Sequence, residues 1–347
     1  MPLVTGGTLG GLFLEVTAAD ARALPGPELG VRWTLANDWS APTRLARGDR
    51  QVLLQVDAQS DALVLSGRLP WTRLAGPAPA WRRLATTVEA RLVATWGGFT
   101  DRPIEAWHRL AGFDRFERPL HPRGAVRVEI RDAATGEGLS LGSSRLAAGD
   151  VAVRTQLLLA EGGVSHAAPE RARWGVSARL DLKVPVGRPE RLGGSGGWDA
   201  GAALLGTAEL APWATAHALV AAVAVSRIAA PVPLRPRPWR GAAELSLALR
   251  AGAFTIVLQD RISSAIFDEG FSWIAPAGGG DVQASATFGA FLPQNRVSVG
   301  IRRGTFTFWV SEDWTPGAAP RVRGGDNWFY DSNAPDVALG VVWTIRL

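Results

Sequence analysis

Residue types that carry covalent or metal chemistry are sparse and scattered in this sequence. There is no cysteine, which excludes disulfides and thiolate metal sites. The four histidines, His108, His121, His166 and His217, show no paired spacing, whereas a metal site needs three or four convergent ligands. The sequence therefore predicts neither a bound metal nor a cofactor.

Hydrolytic chemistry needs a nucleophile with a base within hydrogen-bond reach, or two acids around a water molecule. Ser177 and Ser246 lie on polar faces of strand-like segments without an evident histidine partner. Glu312 and Asp313 are adjacent, so on a strand they point to opposite faces. These patterns identify no catalytic residue and favour a protein that is not an enzyme. A membrane-embedded hydrolase acting on lipid or envelope substrates is the alternative.

Charge is plentiful but dispersed. The chain has 37 basic and 32 acidic residues, a net charge of +5. Every basic residue except Lys183 is an arginine, and no basic block stands out. A nucleic-acid partner needs a clustered basic patch, so none is expected.

The charged side chains alternate with apolar ones. In RARWGVSARLDLKVPVG (171–187), even positions from Trp174 onward are apolar, while the odd positions include Arg173, Arg179, Asp181 and Lys183. A period of two predicts a strand with one apolar and one charged face.

Comparable alternation recurs along the chain. The strand-like stretches are 29–39, 62–69, 87–96, 151–159, 171–187, 198–210, 213–227, 241–250, 254–267, 282–292, 297–310 and 336–347. Residues 127–142 resemble a hairpin with a glycine-rich turn. Many of these stretches approach the roughly 9–11 residues that a tilted strand needs to cross a bilayer. No apolar run is long enough for a transmembrane helix.

Strand length and tryptophan placement favour a membrane barrel over a soluble sandwich. Sandwich strands average about 5–6 residues, whereas many here are longer and keep phase. Tryptophans at strand ends on the apolar face are typical of the aromatic girdles of outer-membrane barrels. The candidates for this membrane-interface role are Trp33, Trp39, Trp96, Trp174, Trp198, Trp213 and Trp343. We predict an all-β chain forming a single antiparallel transmembrane β-barrel of about twelve strands.

The opposite faces of the strands would then line the lumen. The lumen-lining candidates are Arg91, Arg179, Asp181, Lys183, Glu244, Arg250 and Arg302. Unpaired charges in a lumen need water or partners of opposite sign. A surplus of arginine there would favour anionic solutes.

Two regions depart from the strand pattern. Within residues 98–120, a helical stretch over 103–111 spaces Ile104, Trp107 and Leu110 three residues apart; it predicts a short helix that covers the barrel mouth, lies on the membrane, or belongs to an external loop. Residues 1–28 are predicted to form a segment outside the wall, at the periplasmic end or inside the lumen, with residues 29–347 as the barrel. The first residues, MPLVTGGTLGGLFLEV, lack the basic and long apolar regions of a signal peptide.

Several stretches together resemble an uncharacterised family of proteobacterial outer-membrane β-barrels, a domain of unknown function. They are residues 29–39, 98–113, 182–204, 310–314 and 332–347. The resemblance implies a closed barrel in the bacterial outer membrane, and it supplies no catalytic residue. The final Leu347 differs from the terminal Phe more usual in bacterial barrels.

The predicted function is accordingly that of an outer-membrane barrel, either structural or a narrow channel for a small solute, and a surplus of lumenal arginine would favour an anionic one. Barrels of this size have narrow lumens, since open aqueous channels begin at roughly 16–18 strands. Expected partners are outer-membrane lipid, the barrel-assembly machinery and a small solute, and we expect a monomer. A soluble secreted β-sandwich that binds a ligand is the third interpretation.

Overall fold

The chain forms a closed barrel in its computed structural model. Residue ranges 1–2, 4–7, 23–25, 48, 77, 79–80, 112–121, 167–168, 170, 268–271, 274–293, 314–321, 325–326 and 330–336 lie outside what the structure describes. The strands are β1 (Glu28–Arg47), β2 (Arg50–Pro70), β3 (Leu84–Trp96), β4 (Arg127–Asp132), β5 (Gly138–Leu141), β6 (Arg145–Ala148), β7 (Val151–Val164), β8 (Ala172–Val184), β9 (Asp199–Ala211), β10 (Ala214–Ala224), β11 (Trp239–Ala251), β12 (Phe254–Ser263), β13 (Ser272–Trp273), β14 (Gln294–Arg303), β15 (Phe306–Asp313), β16 (Val322–Gly324), β17 (Asn327–Phe329) and β18 (Val337–Arg346). The helices are α1 (Thr72–Ala75) and α2 (Asp101–Ala111), and single 3₁₀ turns occur at Gly10–Leu12, Trp81–Arg83 and Pro189–Arg191.

Twelve of these strands make the wall, in the order β1, β2, β3, β7, β8, β9, β10, β11, β12, β14, β15, β18. The last strand closes on the first, with pairs running from Glu28 with Arg346 to Asn37 with Val337. Every strand of the wall thus has two neighbours, which leaves no open edge in lipid. The predicted twelve-stranded antiparallel barrel is confirmed, and the sandwich interpretation is wrong.

The wall strands alternate between lipid and lumen as predicted. On β8, Leu180 is 69% exposed, whereas Arg179 and Asp181 on either side of it are 4% and 3% exposed. A sandwich would bury the apolar face; this barrel turns it outward. None of the helices that the structure describes is long and apolar enough to span a membrane.

The two ends of the barrel differ. At the end where β1 begins, the turns at residues 212–213, 252–253 and 304–305 are two residues long. We call this the turn end. The opposite end, where the connections other than that between β1 and β2 are long, is the loop end. The single strand predicted over 297–310 is in fact β14 and β15 joined by such a turn, because Gly304 adopts a φ of +57° that reverses the chain. The strand predicted over 282–292 lies outside the described residues.

An apolar core covers the loop end. There β1 and β2 extend past their neighbours, and the hairpin of β4 and β5 pairs with β2 from Val52 to Asp57. The buried side chains of this core are Leu9, Leu12, Phe13, Val52, Leu54, Val56, Ala58, Val128, Ile130, Leu139, Leu141, Leu192, Leu234, Ile266 and Phe267. The core includes three residues from the N-terminal segment, so the covering of this end depends on that segment.

The predicted helix is α2, and it begins at Asp101, two residues earlier than expected. Its start lies against inward-facing side chains of the wall, because Asn37 donates to Thr100 (2.8 Å) and Gln59 accepts from the Thr100 hydroxyl (3.0 Å). Ile104 is buried, whereas Leu110 is exposed. The helix therefore helps to cover the barrel mouth.

Candidate functional site

An N-terminal segment occupies the lumen. We call residues 8–22 the plug. Near the loop end Leu12 and Phe13 join the apolar core, and near the turn end Arg22 donates to the carbonyl of Ala172 (3.3 Å), where β8 starts. Leu3 is also in the lumen, where its backbone N–H donates to the side-chain amide of Gln259 and its carbonyl accepts from it, each at 2.7 Å. The plug thus runs along the barrel between its two ends.

Apart from the 3₁₀ turn at Gly10–Leu12, the plug has no regular secondary structure and no strand partner, so its backbone polar groups need other partners. Cationic side chains of the wall donate to its carbonyls. Arg91 binds Gly11 (2.9 Å), Lys183 binds Leu12 (3.0 Å), Arg154 binds Glu15 (2.9 Å), Arg261 binds Val16 (2.8 Å) and Arg179 binds Thr17 (2.7 Å). A charge-assisted bond is roughly twice as strong as a neutral one, so these five cations anchor the plug.

The seven side chains predicted to line the lumen all lie on its side of the wall. Arg179 also pairs with Asp181 (2.9 Å), and Glu244 pairs with Arg261 (3.0 Å). Arg91, Arg179 and Lys183 bind the plug, whereas Arg250 and Arg302 line an open cavity. Arg179 and Lys183 are not free charges of the lumen, because carboxylates and plug carbonyls surround both.

Lys183 is the centre of one buried polar network. Its ammonium lies 2.6 Å from the Ser195 hydroxyl, 2.9 Å from Asp150 and 3.1 Å from Asp199. Asp199 in turn accepts the Leu14 N–H of the plug (2.9 Å), and Asp150 accepts the N–H of Gly187 (2.8 Å). The glycine-rich stretch 193–201 supplies Ser195 and Asp199 to this network.

One side of the plug is apolar and packs on β9 and β10. Leu14, Val16, Ala18 and Ala21 form a buried cluster with Ala203, Leu205, Leu219, Ala221 and Val223 of the wall. The approach is close: a Cβ added to Gly201 would lie 3.0 Å from Cγ2 of Val16. Both apolar packing and ionic anchors therefore hold the plug.

Asp20 ties the plug to the turn end. Its carboxylate pairs with Arg22 (2.8 Å) and with Arg171 of the wall (2.7 Å), and Gln156 donates to its carbonyl (3.0 Å). Burial alone would raise the pKa of Asp20. The hydrogen bond from Arg22 and the charges of Arg171 and Arg22 outweigh that effect and hold the pKa well below its usual range.

Beneath the plug, a cavity of ≈ 740 Å³ opens at the turn end. Its lining includes His217, nine arginines and four carboxylates. The arginines are Arg22, Arg32, Arg68, Arg154, Arg171, Arg179, Arg250, Arg302 and Arg346, and the carboxylates are Asp20, Glu28, Glu89 and Glu209. The cavity therefore carries an excess of positive charge.

Little space remains beside the plug between the cavity and the loop end. One gap of ≈ 80 Å³ lies between the plug and β1, β2 and β3, near Arg91. Another of ≈ 40 Å³ lies on its other side, near Arg240 and Arg261. A cavity needs about 10–15 Å³ for one water, so each gap holds a few water molecules at most.

The tryptophans predicted for the interface fall at different heights. Trp174, Trp213 and Trp343 lie near the turn end, and Trp96 and Trp198 lie near the loop end. Trp33 is outward but pairs with Leu63 and Val341 further along the wall. The Trp39 side chain lies outside the described residues.

Trp309, not among the predicted interface residues, faces inward and is fully buried. A Cβ at Gly340 would lie 2.1 Å from its ring, so the glycine makes room for the indole. A glycine in one alternating strand and a tryptophan on the polar phase of another are visible in the sequence, and they are the signal for this inward tryptophan.

Ser246 also has a histidine neighbour that the spacing of the sequence does not reveal. His217 of β10 lies directly across from Ser246 of β11, so a lumenal serine does have a histidine neighbour. The Ser246 hydroxyl forms no hydrogen bond, and Nδ1 of His217 is engaged with the Thr207 hydroxyl (3.0 Å). Among the described residues, no group of three His, Cys, Asp or Glu side chains is arranged to hold a metal.

The sequence matches no family model and no curated protein. The fold is similar to that of an outer membrane channel from Pseudomonas putida F1, with 12% identity, a TM-score of 0.49, and 95% of this chain and 100% of that chain covered. It is also similar to the NanC porin, with 8% identity, a TM-score of 0.42, and 92% of this chain and 100% of that chain covered. The P. putida toluene transporter TodX is similar with 9% identity, a TM-score of 0.37, and 94% of this chain and 91% of that chain covered. Each similarity is one of barrel architecture, and the residues of this chain carry the functional argument.

Proposed function

We propose that this chain is a channel of the bacterial outer membrane whose lumen is closed by its own plug and which passes a small anionic solute when the plug moves. The observation that carries the proposal is the plug itself, held by five wall cations above an arginine-rich cavity. Short turns face the periplasm in outer-membrane barrels, so the cavity opens to the periplasm.

A plug held by these contacts can leave without unfolding the wall. The wall strands are paired with each other and not with the plug, so their backbone hydrogen bonds survive its departure. The anchoring cations keep wall partners as well: Arg179 keeps Asp181, and Arg261 keeps Glu244. The plug carbonyls that these cations release would be solvated by water.

The family and partner predictions belong to the same proposal. We propose membership in the proteobacterial outer-membrane barrel family that the sequence resembles, with insertion by the barrel-assembly machinery and function as a monomer. The proposed function requires no enzymatic step. The outward apolar face of the wall, illustrated by Leu180 and Val220 at 69% and 65% exposed, supports the lipid environment.

Planar-bilayer recording tests whether the plug closes the lumen. The double variant Arg179→Gln/Arg261→Gln loosens two anchors, and we expect it to open far more often than the wild type, with anions carrying most of the current. The double variant Val16→Cys/Gly201→Cys places two thiols within disulfide range in a chain without other cysteines. It should stay silent when oxidised and open at least as often as the wild type after reduction.

Arg303→Gln is the matched control, since Arg303 is outward and stacks over Phe254 (5.4 Å). It should leave the conductance unchanged. If the loosened barrel is as silent as the wild type while its heat-modifiable migration shows that it is folded, the plug is a permanent filling and the barrel is structural.

A further inference from the structure

Three of the cavity arginines that the structure describes, Arg68, Arg250 and Arg302, form no hydrogen bond or ion pair through their side chains. Arg171, Arg154 and Arg179 differ, since each holds a carboxylate. Arg250 and Arg302 both line the cavity under the plug. A charged group that the protein itself leaves unpaired is available to a ligand.

Their placement on the wall brings the two side chains together. Thr255 of β12 pairs directly with Arg250 on one side and with Arg302 on the other. Neighbouring strands lie about 4.8 Å apart, so the two arginine Cα atoms are roughly 10 Å apart with a hydroxyl between them. Side chains as long as arginine can therefore converge on one group above Thr255.

The electrostatic surroundings favour an anion at this position. Arg346, Arg250 and Arg171 place positive charge near Arg302. Arg171 is held by Asp20 and Arg346 lies 3.8 Å from Glu28, which leaves Arg250 and Arg302 as uncompensated neighbours of like charge. Such neighbours repel each other, and a shared anion relieves the repulsion.

We propose that Arg250 and Arg302, with Thr255 between them, form a binding site for a small oxyanion of at least two negative charges, either a phosphate or a di- or tricarboxylate. Guanidinium forks match the planar pairs of oxygens that both classes present, and a hydroxyl can donate to a third oxygen. The cavity, ≈ 740 Å³, is of the size that encloses small ligands. The inference rests on the proposed channel, because the site lies at the mouth that the plug would open.

Equilibrium binding tests this site without any need for transport. Isothermal titration calorimetry is run on the oxidised Val16→Cys/Gly201→Cys protein, whose plug is fixed, with inorganic phosphate, with citrate and with chloride. We expect saturable binding of phosphate or citrate and none of chloride. Arg250→Gln and Arg302→Gln should each weaken that binding about tenfold.

Arg303→Gln is again the matched control, because it removes an arginine from the next position on the opposite face. It should bind like the wild type, and heat-modifiable migration should confirm that every variant is folded. Binding unchanged by Arg250→Gln and Arg302→Gln, or no binding of either oxyanion, overturns the site. A channel that conducts anions yet binds neither oxyanion would contradict the site and leave the proposed function intact, whereas binding to a barrel that never conducts would do the reverse.

Discussion

The residues of the wall include two kinds of cation, arginine and a single lysine, and each occupies a different kind of site. Arginine, with its rigid fork, occupies the positions where a side chain must join a carboxylate and a plug carbonyl at once, as Arg179 does with Asp181 and Thr17. Lys183, the one lysine of the chain, sits where a compact ammonium is surrounded by oxygens of Leu12, Ser195, Asp150 and Asp199. The planar guanidinium cannot reproduce that arrangement.

Removing the ammonium should therefore be costly. Lys183→Met leaves Asp150 and Asp199 without their cation in a site where the lysine and the two acids are 4%, 7% and 0% exposed. We expect a loss of about 3–5 kcal/mol in the free energy of unfolding, measured by urea titration of the heat-modifiable form in vesicles. Lys183→Arg should recover only part of this loss. The control Leu182→Met, on the outward face next to it, should change stability by less than about 1.5 kcal/mol.

Residue types indicated which faces are lumenal but not what the lumen contains. The sequence predicts Ser177 as an inward residue of a solvated lumen, where a charged substitution is tolerated. In the structure Ser177 is fully buried and donates to the carbonyl of Ala21, so a charge there would displace the plug. The alternation of residue types identifies a polar face of a strand, and such a face can contact water or backbone polar groups equally well.

Among the elements, the plug is held near the turn end by Asp20. Because the pKa of Asp20 is lowered in the folded protein, its stabilisation is present above the unfolded value of about 3.9. That stabilisation is lost only as the pH falls through the lower, folded pKa. Acidification from neutral pH to about 4 should therefore leave the plug docked near the turn end.

The variant Asp20→Asn tests this anchor. It leaves Arg22 and Arg171 without their carboxylate, and we expect the plug to undock about ten times more often. The measurement is the rate at which a water-soluble thiol reagent modifies Val16→Cys, relative to a free thiol at the same pH. Glu190→Gln, in an exposed loop, should leave the rate unchanged. A wild-type rate that rises between pH 7 and about 5 would contradict the lowered pKa.

The sequence did contain a signal for the plug. On β9 and β10 the lumenal positions Ala203, Leu205, Leu219, Ala221 and Val223 are apolar, so each strand is apolar on both faces over part of its length. An apolar lumenal patch must be covered by something. Which segment covers it could not be predicted, because contacts between residues so far apart in the chain leave no local pattern.

At the scale of the whole molecule, closure was the most predictable feature. An alternating last strand has to pair with the first, since an open edge in lipid leaves backbone groups without partners, and β18 does pair with β1. The order of the wall strands around the barrel follows from the same need for every strand to pair on both sides. The loop-end core was not predictable, because β4, β5 and several loops contribute to it one or two residues at a time.

Single cysteines test the assignment of faces in the assembled barrel. Val341 lies on the outward phase of β18, whereas Thr344 lines the cavity. A lipid-soluble thiol reagent should label Val341→Cys and spare Thr344→Cys, and a water-soluble reagent should do the opposite. The reverse pattern would falsify the orientation of the wall.

The solitary lysine gives this barrel an unusual chemical profile. Dyes, isotope tags and crosslinkers that attack primary amines meet a single side-chain target, and this side chain is 4% exposed beneath Leu12. While the plug is docked, that amine is paired with Asp150 and Asp199 and shielded from such reagents. The fraction of Lys183 that becomes acylated in living cells therefore counts, one molecule at a time, the barrels whose plug has left.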